Sequence, residues 1–168
     1  VILLCSVGLF VFFKGRKNII NRLYGLFAIF MAVWAFGLLM FYTGPENMLR
    51  FWANFLYVAG TLIAAIFFYF SLVFPFGRMS KLTIKGILIF FPNIALFILF
   101  FFSDFILAGT FIGVNNARGF VYGPGHLLFD IQFSLFFIWG FLNLLKKYRP
   151  ADNIAKVQLK FTILGTSL

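Results

Sequence analysis

Four apolar runs limit what this chain can fold into more than any other feature. Residues 23–43, 51–77 and 86–103 carry no charge, and 127–145 carries only Asp130. A helix needs roughly 20 apolar residues to cross a hydrocarbon core, and each run is near that length. Two shorter stretches flank them, 1–13 and 161–168, the latter with an amphipathic lead-in from Ile154. Strands of alternating polarity are absent, which excludes a membrane β-barrel. The expected architecture is an all-α polytopic membrane bundle forming one domain over 1–168. Its spans fall at about 1–13, 21–43, 49–75, 82–103, 125–147 and 153–168, joined by an outer loop at 104–124.

Composition closes the main escape from this reading. The chain is 63% hydrophobic and 11% charged, whereas soluble domains carry roughly 25% charged residues. There are too few polar side chains to cover a water-soluble fold. The first and last runs begin and end inside apolar sequence, so the reading expects a fragment with a seventh span beyond it. The 1–13 run has no preceding basic region, unlike a signal peptide. Cys5 stands alone and has no intramolecular disulfide partner.

The 14 basic residues far outnumber the 4 acidic ones, for a net charge of +10. In a soluble protein that excess would suggest nucleic acid. Here it sorts by connection. The first holds Lys14, Arg16, Lys17 and Arg22; the third holds Arg78, Lys81 and Lys85; the fifth holds Lys146, Lys147, Arg149, Lys156 and Lys160. The second and fourth hold only Arg50 and Arg118. Cytoplasmic loops are the basic ones, so the odd connections are placed inside and the N-terminus outside. The expected partner is a bilayer with anionic headgroups, with no nucleic acid involved.

Small residues recur on helical faces: Gly25, Ala28, Ala32 and Ala35 in the second helix, and Ala53, Gly60, Ala64 and Ser71 in the third. Membrane helices approach closely over such residues, so these faces are expected to pack on neighbours. Pro92 removes a backbone donor in the fourth helix and is expected to kink it, with Asn93 able to satisfy a freed carbonyl. In the outer loop, β-prone runs at 110–114 and 120–122 flank an Asn/Gly turn. This pattern reads as a β-hairpin lying on the bundle as a lid or plug.

One polar constellation stands out. His126 and Asp130 share a helix face four residues apart, and Ser134 continues it. Asp130 is the only acid within an expected span, where a charge is costly and invites a functional reading. Three readings stay open: satisfaction by first-turn amides or His126, a pocket for a small cation or polar ligand, or a pH-sensing pair. The candidate ligand site is His126, Asp130 and Tyr122, with Asn54 and Tyr57 as contributors. No catalytic set, metal-ligand spacing or phosphate loop is visible, so the reading expects no cofactor and no enzyme activity in these residues.

The order of several motifs resembles the N-terminal seven-helix membrane region of bacterial histidine kinases. They are Asn21-Arg22-Leu23 continuing through Phe27-Ala28 to Trp34, Phe51-Trp52 with Tyr57 and the phenylalanine-rich run to Pro75, Gly123-Pro124-Gly125-His126, and Tyr148-Arg149, Ala151, then Gln158-Leu159-Lys160 with Gly165. The resemblance implies a sensory input domain of a two-component system in the bacterial inner membrane. It also implies a small-molecule or membrane stimulus, a homodimer, and a cytoplasmic output domain beyond these residues. The competing reading is a transporter or channel subunit that uses Asp130 as a coupling or selectivity group.

Overall fold

A computed structural model describes residues 1–77 and 84–167, with side chains described through 77 and from 90 to 165. Arg78, Lys81 and the side chain of Lys85, counted above as marks of a cytoplasmic connection, lie outside that description. Six α-helices and one two-stranded sheet follow in the order α1 (Ile2–Lys14), α2 (Ile19–Thr43), α3 (Leu49–Val73), α4 (Ile84–Phe102), β1 (Leu107–Ile112), β2 (Arg118–Tyr122), α5 (His126–Tyr148) and α6 (Asn153–Ser167). Among the described residues, Ile19–Thr43, Glu46–Val73 and His126–Tyr148 are long and apolar enough to cross a membrane. The sequence reading expected six spans; α1 and α6 are 13 and 15 residues long.

Local chemistry sets the helix ends. Asn18 opens α2 by accepting from the Ile20 amide at 2.9 Å, and Asp152 opens α6 by accepting from the Ala155 amide at 2.8 Å. Both satisfy amide donors left over at a helix start. Gly44-Pro45 stops α2, because proline disfavours helical backbone at the residue before it and Gly44 is extended; α5 ends at Tyr148, although Arg149, ahead of Pro150, keeps helical backbone angles.

Helix α3 is the axis of the molecule. Of its most apolar window 67% is buried, against 28% for α2 and 11% for α5. Its fully covered residues include Ala53, Ala64, Ala65 and Ser71. Helix α2 packs antiparallel to it, with Phe41 against Leu49 and Ala53. Helix α4 is also antiparallel, with Tyr57 near Phe100 and Tyr69 near Phe90. Helix α5 runs parallel to α3: Tyr57 meets Phe129, Phe67 meets Phe137 and Phe141, and Ser71 meets Asn143.

The small-residue faces are buried at Gly25, Ala28 and Ala32 on α2, while Ala35 is half-buried. Gly25 faces α1 rather than α3. A Cβ on Gly25 would stand 2.8 Å from the Gly8 carbonyl oxygen, and one on Gly8 would stand 3.0 Å from the Gly25 carbonyl oxygen. Glycine at both positions allows the two backbones to touch.

The abundance of phenylalanine, 29 of 168 residues, has a packing role along α3 and α5. Phe129, Phe133 and Phe137 follow each other down α5 with centroids 5.7 and 4.9 Å apart. Phe67 stacks on Phe137 at 5.0 Å, and Phe68 on Phe136 at 5.4 Å. Flat rings fill the gap between two helices while leaving no polar atom unsatisfied. Large apolar side chains also point away from the bundle, among them Phe10, Phe91, Phe102, Leu127 and Phe161. An outward apolar surface of this extent suits hydrocarbon rather than water.

Between α4 and α5, β1 and β2 pair antiparallel from Leu107↔Tyr122 to Ile112↔Arg118. Their turn places Asn115 and Asn116 at φ 60° and 59°, a region Asn tolerates better than most residues. The neck of the ribbon is tied by Gly123 N–H to Ile106 O at 3.0 Å and Gly125 N–H to Phe105 O at 2.8 Å.

Candidate functional site

The parallel arrangement of α3 and α5 puts both helix N-termini at one end, beside the β-ribbon. His126, the first residue of α5, stacks on Tyr122 at the end of β2, with centroids 4.1 Å apart and planes at 20°. The edge of Tyr57 from α3 meets the same imidazole at 5.7 Å. One turn along α5, Asp130 Oδ2 lies 3.4 Å from His126 Nε2, long for a hydrogen bond. His126 Nδ1 is buried with no partner among the described residues.

Four of the five residues singled out in the sequence thus gather from three elements. Asn54 does not join their ring contacts. It is buried on α3, one turn before Tyr57, and its Oδ1 has no partner among the described residues. Asp130 also differs from one expectation. Helix α5 begins at His126 and no side chain caps its N-terminus, so Asp130 stands past the first turn, where free amides end.

A cavity of about 310 Å³ opens beside this cluster, over α3 and between α2 and α5. Trp34, Tyr57, Phe120, Phe129 and Phe133 supply aromatic walls, Asp130 the charge, and Gly60 the floor. A Cβ on Gly60 would meet Phe129 Cζ at 3.8 Å and Phe133 Cε2 at 3.9 Å, so a methyl group there would sit in ordinary contact with both rings without a clash. Sequence inspection did not select Trp34, Phe120 or Phe133. Their signal was only aromatic character within aromatic-rich runs.

The same end holds the two basic residues that depart from the charge pattern. Arg50, at the start of α3, pairs with Asp104 after α4. Arg118 Nη1 donates to the Phe41 carbonyl at the end of α2, at 2.7 Å. That carbonyl belongs to the last turn, where helices leave acceptors open.

The opposite end is closed by a different device. Lys147, in the last turn of α5, donates to the carbonyls of Ser71, Leu72 and Phe74 at 2.9, 2.6 and 2.7 Å. An ammonium has three donors, so all are used on the C-terminus of α3, where a cation is also favoured by the helix dipole. Asn143 Nδ2 adds a 3.4 Å contact to Ser71 Oγ. The sequence reading counted Lys147 among groups that face lipid headgroups; its donors are spent inside the protein instead. Between the two ends, Gln132 Nε2 donates to Asn93 Oδ1 at 2.9 Å, tying α5 to the residue after Pro92.

The sequence family described as the N-terminal 7TM region of histidine kinase matches residues 1–168. The chain belongs to this family. It is therefore a membrane-embedded sensory region of histidine kinases, and its apolar helices are those of a membrane protein. No curated protein and no solved structure matches the chain.

Proposed function

We propose that this chain is the sensory input domain of a two-component histidine kinase in the bacterial inner membrane, and that it reads an extracytoplasmic stimulus at the Tyr57–Tyr122–His126–Asp130 site. In this reading the chain crosses the bilayer six times with its N-terminus outside. A further span then leads to a cytoplasmic output domain, and the assembly is a homodimer. The β-ribbon and the open cavity lie on the outer side. Lys147 lies on the inner side with its donors held by the protein, and the other basic residues of the first, third and fifth connections lie on that side near anionic headgroups.

The observation that carries the reading is the convergence of β2, α3 and α5 on one charged, aromatic-walled cavity at the end away from most basic residues. Arg50 and Arg118 strengthen it, since each is held by a local partner. A stimulus shifts a two-state bundle only by binding its states unequally. A site shared by the ribbon and two helices meets that condition whenever the bundle rearranges.

The test is the phosphorylation output of the full-length protein in cells with Asp130→Asn or His126→Phe. The expected result is a basal or stimulated output changed several-fold, with the protein still in the membrane at normal abundance. Unchanged output in both variants would remove the site from signalling. Loss of an ion-coupled uptake with signalling intact would favour transport instead.

A further inference from the structure

The walls of the outer cavity specify a ligand class. Five aromatic rings and one carboxylate line it, and no lysine or arginine does, although the chain holds 14 of them. The rings meet at angles. Tyr57 stands at 82° to Phe120 and 76° to Phe129, with centroids 5.7 and 4.8 Å away. Alkylammonium groups are held against aromatic side chains through ring quadrupoles, and aromatic side chains dominate this lining.

Asp130 supplies the matching charge. His126 Nε2 lies near one of its oxygens at 3.4 Å. A hard metal ion fits poorly. Calcium takes six to eight oxygen ligands, whereas the cavity's side-chain oxygens come from Asp130 and Tyr57 alone. No group of three His, Cys, Asp or Glu is found among the described residues. A neutral apolar ligand would fit the rings but leave the carboxylate facing hydrocarbon, which is unfavourable.

We infer that the cavity binds an organic ammonium cation, its charge against Asp130 and its alkyl groups against Trp34, Tyr57, Phe120, Phe129 and Phe133. This inference rests on the outer site being the sensory site, and it adds the chemistry of the stimulus. The ammonium group could come from a free amine or from a lipid headgroup.

Choline is the probe for the free cation, and its neutral isostere 3,3-dimethylbutan-1-ol is the control. The full-length protein is placed in nanodiscs of phosphatidylglycerol, which carries no ammonium group. Binding of tritiated choline is then measured with and without the isostere. The expected result is saturable binding that the isostere displaces at least about tenfold less well than unlabelled choline, and that Asp130→Asn weakens by about tenfold or more. Gly60→Leu, which adds a large side chain to the cavity lining, is expected to abolish binding even if Asp130→Asn fails to fold.

The headgroup source is tested by replacing phosphatidylglycerol with phosphatidylcholine. Absence of choline binding in phosphatidylglycerol, together with an Asp130-dependent rise in melting temperature in phosphatidylcholine, supports the inference with a lipid as ligand. Equal displacement by the isostere, or no response to either source, overturns it. If signalling still depends on Asp130 in that case, the sensory reading stands and only the ammonium assignment falls. If signalling is also indifferent to Asp130, both fall.

Discussion

The two ends of the α3–α5 pair are built on opposite principles. At the Lys147 end every donor of a cation is matched to a carbonyl of a neighbouring helix terminus. At the His126 end, polar atoms are left over: His126 Nδ1 and Asn54 Oδ1 are buried without partners among the described residues, and a cavity opens beside them. Buried polar groups are ordinarily satisfied, so this unspent polar capacity supports the ligand site proposed at that end. The satisfied end joins α3 to α5 firmly, and α5 leads directly into α6. A displacement of α5 relative to α3 at the cavity would therefore be felt at the clamp.

That contrast is open to direct attack. The largest effect is expected for Lys147→Met, which leaves the carbonyls of Ser71, Leu72 and Phe74 without their donor. Loss of charge-assisted bonds in a partly buried setting is expected to destabilise by about 3 kcal/mol, read as a lower melting temperature of the purified protein. Lys147→Arg should recover only part of this, because a planar guanidinium does not reproduce the ammonium's three-way geometry.

Next comes a pair of glycines. A Cβ on Gly140 would stand 2.6 Å from Phe67 Cε1, so Gly140→Ala forces the ring stack to move, at a cost of about 1–3 kcal/mol. Gly60→Ala, at the cavity, meets nothing closer than 3.8 Å and should leave the melting temperature nearly unchanged. Equal sensitivity at both glycines would erase the distinction between a packed end and an open one.

Asp130→Asn should have the smallest effect on stability. Its side chain is 48% exposed and its contact with His126 is long, and exposed pairs are worth about 0.2–1 kcal/mol at most. The melting temperature should barely move while signalling output changes. A large loss of stability would mean that Asp130 belongs to the scaffold.

Much of this was legible in the residues, for reasons that are local. Apolar run length marked where the long helices lie, and the spacing of Gly25, Ala28 and Ala32 marked a face that is buried. The i, i+4 spacing placed His126 beside Asp130, and Tyr122 was near enough along the chain to be grouped with them. What stayed hidden depends on which helices are neighbours. Lys147 read as one basic residue among many, because nothing in the sequence says that its last turn abuts the end of α3. The phenylalanine excess had no reading until α3 and α5 were seen to run parallel with rings between them. Trp34 could not be assigned to the cavity, since it reaches the site from a helix nearly a hundred residues away in sequence. Arg50 and Arg118 read as exceptions to a charge rule and become intelligible only through Asp104 and the Phe41 carbonyl.

The claim beneath all of this is that the ribbon-and-cavity end faces outward and the Lys147 end faces the cytoplasm. Cysteine accessibility measures it directly. With Cys5 replaced by serine, Val114→Cys in the exposed turn of the ribbon and Lys146→Cys beside the clamp are each treated, on intact cells, with a membrane-impermeant maleimide. The account predicts labelling at 114 without permeabilisation and at 146 only after it; labelling at 146 on intact cells, with 114 protected, would contradict it.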